Sequence, residues 1–116
     1  MEHKESQIQR AAVACFRLKY PKLALNLIAI PNGGARTAVE ASILKAEGVV
    51  AGASDLFLFY PSSKHHGLAI EMKTENGKQT ERQKAWQDAV EKAGYRYEVC
   101  RSASGFLELI EEYLNE

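Results

Sequence analysis

The sequence predicts an α/β domain, a small mixed sheet flanked by helices, and three observations carry that reading. Stretches with helical spacing of apolar residues alternate with short apolar runs, in the order helix, strand, helix, strand, strand, helix, strand, helix. Two of those runs, residues 55–60 and 68–73, flank a Pro/Ser/His/Gly loop and read as a β-hairpin. Shortly after the hairpin, Thr80-Glu81-Arg82-Gln83 has the form of a capping box and opens a further helix. At 116 residues the chain is expected to be a single domain, 1–116, with a core of its own.

Taken in order, residues 5–19 place Ile8, Ala11, Ala12, Cys15 and Leu18 at helical spacing, and the helix ends before Pro21. Residues 23–30 are short and apolar and predict a buried strand, terminated by Pro31-Asn32-Gly33-Gly34. The glycine pair lets the backbone turn sharply or come close to a phosphate, and Arg36 could supply a charged fork; a plain turn accounts for the same residues. Residues 37–47 form a helix with Thr37 as its cap, Val39, Ile43 and Leu44 on one side, Glu40 and Glu47 in solvent, and Gly48 as its stop. After the hairpin, the helix from Thr80 carries Trp86, Ala89, Val90 and Ala93 as its core stripe and ends at Gly94. Residues 95–101 form the last strand. The final helix buries Phe106, Leu107, Ile110, Tyr113 and Leu114, with Glu108, Glu111 and Glu112 on the opposite face, turned away from any polyanion.

Composition excludes several classes. Hydrophobic content of 46% and charged content of 26% are those of an ordinary folded domain, and no apolar run approaches a membrane span. The polar start, Met1-Glu2-His3-Lys4-Glu5, does not resemble a signal peptide, so a cytoplasmic location is expected. Cys15 and Cys100 lack zinc-type spacing and read as reduced, buried thiols. With 15 basic and 15 acidic residues the net charge is zero, so affinity for nucleic acid must come from a local basic patch. Lys78, Arg82 and Lys84 are candidates for phosphate contacts, though solvated surface explains them equally. Lys64, His65 and His66 lie at the hairpin turn, and neighbouring histidines on extended chain point apart and do not chelate one ion readily.

The chemistry concentrates on the hairpin. If Tyr60 pairs near Leu68, Asp55 falls opposite the neighbourhood of Glu71 and Lys73, and strand alternation puts Glu71 and Lys73 on one face with Ile70 and Met72 on the other. An Asp followed by Glu-x-Lys on the next strand is an arrangement that binds a divalent metal and positions water for phosphodiester hydrolysis: carboxylates suit Mg²⁺, and the lysine orients the water or offsets transition-state charge. The sequence resembles the VRR-NUC (virus-type replication-repair nuclease) domains of the PD-(D/E)XK superfamily. The carriers are Glu5-Ser6-Gln7-Ile8-Gln9, Pro31-Asn32-Gly33-Gly34 with Arg36, Gly48 and Gly52-Ala53-Ser54-Asp55, Glu71-Met72-Lys73, Gln83 with Trp86, and Gly94-Tyr95. Ser54 stands where the family more often has proline.

That resemblance implies a restriction-endonuclease-like core and catalysis by Asp55, Glu71, Lys73 and Gln83 with Mg²⁺ or Mn²⁺. The metal would be held by Glu5, Asp55, Glu71 and the Met72 carbonyl, while the Met72 thioether is too soft for such an ion and belongs in the core. DNA contacts are expected from Asn32, Gly33, Arg36, Lys78 and Arg82. For Gln83, capping and catalysis compete, since one side chain does not easily serve both. Stand-alone members of the resembled family, found in phage and bacterial genomes, imply a homodimer that cuts branched DNA such as a Holliday junction. The alternatives are a less selective flap or duplex nuclease and a non-catalytic DNA-binding module; the latter has no use for two carboxylates set against phosphate.

Overall fold

A computed structural model of the protein describes residues 4–31 and 37–116. Helix α1 (Lys4–Lys19) leads through a 3₁₀ segment (Pro21–Asn26) into β1 (Leu27–Ala29); α2 (Ala38–Ala46), β2 (Leu56–Leu58), β3 (Leu68–Met72), α3 (Glu81–Lys92), β4 (Arg96–Cys100) and α4 (Ala103–Leu114) follow. The strands lie in the order β1-β2-β3-β4. The first two pairings are antiparallel and β4 joins β3 in parallel, which demands the crossover that α3 supplies. The expected mixed sheet flanked by helices is therefore present.

Alternation along the strands divides the core into two layers. Leu56, Leu58, Leu68, Ile70, Met72 and Cys100 point to one face, where Ala12 and Phe16 of α1 and Phe106, Ile110 and Tyr113 of α4 cover them. Phe57, Ala69 and Tyr97 point to the other, under Trp86 and Val90 of α3. In the hairpin Leu58 pairs with Leu68 and Leu56 with Ile70, two residues from the expected Tyr60 pairing. A shift of two leaves every side chain on its face, whereas a shift of one would have turned the core outward.

Several boundaries differ from expectation. The strand read over 23–30 is only Leu27–Ala29, because Pro21 opens a 3₁₀ turn in which the Leu23 amide donates to the Tyr20 carbonyl at 2.9 Å. The buried stripe of α1 is Ile8, Ala12 and Phe16, and Leu18 is 85% exposed. The helical period holds, and the buried face is rotated by about one residue from the expected one. On α3, Ala89 and Ala93 are exposed, since only the Trp86 and Val90 edge of the helix meets the sheet. On α2, Glu40 is more than solvated: its carboxylate accepts from the Thr37 amide at 2.9 Å while Thr37 Oγ1 accepts from the Glu40 amide at 3.0 Å, a capping box. The described residues of α2 include none that is buried, and Val39 and Ile43 are exposed. Both cysteines are free thiols, Cys15 half-buried and Cys100 buried.

The hairpin loop is anchored far from Asp55. The Tyr113 hydroxyl donates to the Tyr60 carbonyl at 2.7 Å, and the Glu116 carboxylate meets Ser62 Oγ, His65 Nδ1 at 2.6 Å and Arg96 at 3.0 Å. Rotation of α1 gives a direct check. Phe16→Ala is expected to lower unfolding free energy by about 3–5 kcal/mol, and Leu18→Ala by under about 0.5 kcal/mol, in urea titrations of the two variants.

Candidate active site

Asp55 stands one residue before β2 and its position is set from both sides. Its carbonyl accepts the Ile30 amide at 2.8 Å, and its Oδ2 accepts the Met72 amide at 2.7 Å. The carboxylate thus closes the ladder at the end of β3, beside Glu71. The residue before it, Ser54, is fully buried, and its hydroxyl donates to the Leu56 carbonyl at 2.9 Å, a bond that a proline there could not make. Gly52 has φ +97°, and a Cβ at that position would lie 2.5 Å from the Arg82 carbonyl oxygen. Only glycine lets this loop rest on the backbone of the first turn of α3, which fixes that helix end against the strands.

Glu71 is 2% exposed, on the α3 side of the sheet with Ala69. Gln83 Nε2 donates to its Oε2 at 3.0 Å, and the Tyr97 hydroxyl lies 3.4 Å from its Oε1. Burial first, then hydrogen bonding and repulsion from Asp55, push its carboxyl up to about 8, against the pull of Lys73 and Tyr97. Gln83 caps the helix and touches the carboxylate at once: Oε1 accepts the Thr80 amide at 2.9 Å, closing the capping box, while Nε2 reaches Glu71. The two ends of one amide face in different directions, so the cap aims the donor.

Lys73 is 8% exposed, and its amide continues the parallel ladder to the Cys100 carbonyl at 2.9 Å. A Cβ on Gly77 would sit 3.3 Å from Lys73 Cδ, so the following turn lies along the lysine stem. That turn is held by one nitrogen of Arg101, donating to the carbonyls of Thr74 at 2.7 Å, Glu75 at 3.2 Å and Gly77 at 2.7 Å. The Met72 side chain is in the core, as its chemistry required. Lys78 and Arg82 are exposed at the approach to α3 and in its first turn, and Lys84 pairs with Glu81 at 3.4 Å.

Glu5 is exposed in the first turn of α1, and among the described residues no three His, Cys, Asp or Glu side chains cluster as metal ligands. Asn32, Gly33 and Arg36 lie outside the described residues. Two contributors went unread in the sequence: Tyr97, buried with its hydroxyl toward Glu71, and Gln79, whose Nε2 is 3.2 Å from that hydroxyl. Burial is the main cause that pushes the Tyr97 phenol up to about 12, so it remains a donor at neutral pH. Alternation in β4 carried the only signal, since Tyr97 pairs with Ala69 and so shares the face of Glu71.

The fold is that of an α/β nuclease domain of the PD-(D/E)XK kind, with a four-strand mixed sheet flanked by helices. Within it the chain belongs to the VRR-NUC nuclease family, whose domain model matches residues 3–104. It is similar in structure to a solved VRR_NUC domain protein, with a TM-score of 0.85 and 26% sequence identity over 97% of this chain and 88% of that one. No curated protein matches the sequence. The family implies a DNA substrate and a divalent metal. The donor set fits such an ion: two hard carboxylates stand side by side, one of them buried among neutral donors, and Mg²⁺-type ions take one or two carboxylates and complete their shell with water. No helix among the described residues is long and apolar enough to cross a membrane.

The raised carboxyl has a consequence for stability. A folded-state value of about 8 against 4.5 for the unfolded chain means that the native protein holds this proton more tightly. Metal-free protein in EDTA is therefore expected to lose a few kcal/mol of stability as pH rises from about 4.5 to about 8, and Glu71→Gln should flatten that decline in melts taken across the window.

Proposed function

We propose that the protein is a Mg²⁺- or Mn²⁺-dependent endodeoxyribonuclease selective for branched DNA, acting on Holliday junctions. The observation that carries the hydrolytic reading is the convergence of Asp55 and Glu71 at one end of the hairpin, with the 8%-exposed Lys73 two residues beyond Glu71. Asp55, Glu71 and the Met72 carbonyl would hold the metal. When bound, the ion neutralises phosphate charge and lowers the pKa of water, which supplies a nucleophile at neutral pH. Lys73 places a positive charge against the developing phosphorane, and Gln83 holds the Glu71 carboxylate while remaining within reach of the attacking water. Asn32, Gly33, Arg36, Lys78 and Arg82 would contact the DNA backbone, which fixes register without reading sequence.

Junction selectivity requires two sites related by a two-fold axis, so that a symmetric four-way junction receives paired nicks. Support for a second copy comes from the exposed apolar residues Val39 and Ile43 on α2, with Val49 and Val50 just beyond it. Light scattering is expected to report a dimer, and Ile43→Glu to convert it to monomer; a wild-type monomer at micromolar concentration would remove the two-fold arrangement.

Cleavage of matched four-way junction, flap, duplex and single-stranded DNA tests the activity itself. The wild type is expected to cut the junction preferentially with Mg²⁺, and Asp55→Asn and Glu71→Gln to abolish cutting while binding DNA as tightly or more tightly. Lys73→Ala is expected to reduce turnover about 100- to 1000-fold with metal affinity little changed. Gln83→Glu keeps an oxygen for the Thr80 amide but sets a carboxylate against Glu71, so a folded, inactive enzyme is expected. Equal cutting of all substrates would make this a general flap and duplex nuclease, and tight binding without cutting would make it a DNA-binding module.

A further inference from the structure

On the α3 side of the sheet a row of hydrogen bonds runs from the helix surface to Glu71. Gln87 Nε2 lies 3.2 Å from Glu91 Oε2, Gln79 Nε2 lies 2.9 Å from Gln87 Oε1 and 3.2 Å from the Tyr97 hydroxyl, and that hydroxyl lies 3.4 Å from Glu71 Oε1. Direction follows from the chemistry of the ends. A carboxylate only accepts, so Glu91 accepts a hydrogen bond from the Gln87 amide NH₂, and the oxygen of Gln87 then faces Gln79. Gln79 must present its NH₂, with one hydrogen to Gln87 and the other to the Tyr97 oxygen. Tyr97 has a single proton, and with its oxygen accepting from Gln79, that proton is directed to Glu71.

We infer that Tyr97 and Gln79 are positioning residues for the metal-binding carboxylate: Gln79 orients the Tyr97 hydroxyl, which with Gln83 fixes the plane of the Glu71 carboxylate. Each carboxylate oxygen receives one neutral donor, Tyr97 on Oε1 and Gln83 on Oε2, and the remaining lone pairs are left for a cation beside Asp55. Tyr97 can hold this geometry because it is itself held: its ring is buried in the layer with Phe57 and Ala69, and Trp86 packs on it at 6.1 Å between centroids. Outer-shell donors of this kind fix the orientation of a ligating group and raise its affinity for metal.

The inference rests on the metal-dependent reading above, and calorimetric titration of Mn²⁺ into DNA-free protein separates the two. Tyr97→Phe keeps the ring and its packing, and is expected to weaken Mn²⁺ binding about 10- to 100-fold. Gln79→Leu is expected to weaken it in the same direction by a smaller factor, and to have no further effect when added to Tyr97→Phe, because Gln79 acts through the hydroxyl. Wild-type affinity in folded Tyr97→Phe would overturn the inference while leaving the nuclease reading intact, as would a lowered melting temperature with unchanged Mn²⁺ affinity, the mark of a purely structural role. A full additional loss from Gln79→Leu in the Tyr97→Phe background would overturn the part assigned to Gln79. A wild type that binds no Mn²⁺ would overturn both readings.

Discussion

A carboxylate at 2% exposure beside a second carboxylate is the constraint around which this small sheet is organised. Removing such a group from water is costly unless it is protonated, hydrogen-bonded or paired with a cation. The protein supplies partial remedies from separate elements: the amide of Gln83 from α3, the hydroxyl of Tyr97 from β4, and the ammonium of Lys73 from the end of β3. Asp55 is satisfied differently, by the backbone amide of Met72. Apart from Lys73, two residues along the same chain, each of these donors lies far in sequence from the carboxylate it serves, so the site exists only when β2, β3, β4 and α3 are assembled.

Assembly in turn depends on contacts that admit little variation. The Gly52 loop lies on the backbone at Arg82 and Gln83, closer than any side chain allows, and this contact sets α3 at the depth where Gln83 reaches Glu71. The same residue closes the capping box with Thr80, so helix initiation and carboxylate orientation are one event. On the far side of Lys73, Arg101 gathers three carbonyls of the turn that lies along the lysine stem. The site is therefore braced on two sides by backbone contacts, the arrangement that holds reacting groups to tight tolerances.

Much of this was legible in the sequence because it follows from parity and local chemistry. Strand alternation alone put Glu71 and Lys73 opposite Ile70 and Met72, and a register error of two residues left that assignment intact. Thr80 to Gln83 declared the start of α3, and Phe106, Ile110 and Tyr113 declared the buried face of α4. What escaped notice depends on tertiary placement. Tyr97 looks like any aromatic of a buried strand until β4 pairs in parallel with β3 and brings it beside Glu71. Gln79 sits in an irregular stretch whose partner lies 18 residues away. For Gln83, spacing cannot show that the oxygen and the NH₂ of one amide serve two partners on opposite sides, the Thr80 amide and the Glu71 carboxylate. The face of α1 failed for a different reason, since helical period identifies a stripe only to within about one residue and packing against Phe106 decides between neighbours.

Zero net charge also acquires a spatial meaning. Glu111 and Glu112 of α4 are drawn into pairs on the side of the sheet away from α3: Glu111 meets Lys19 of α1 at 3.9 Å, and Glu112 meets Arg96, which also pairs with Glu98 at 2.9 Å and with Glu116 at 3.0 Å. The exposed Lys19–Glu111 pair adds little stability, and two bases against four glutamates cancel only part of the field that these acids project. Lys78 and Arg82 stand at the start of α3, where the positive end of the helix dipole and the buried ammonium of Lys73 have the same sign. On the proposed function, a polyanion approaching along the α3 end would meet Lys78 and Arg82 beside two carboxylates that it could reach only with a cation between them, and this juxtaposition would let a neutral chain recognise phosphate.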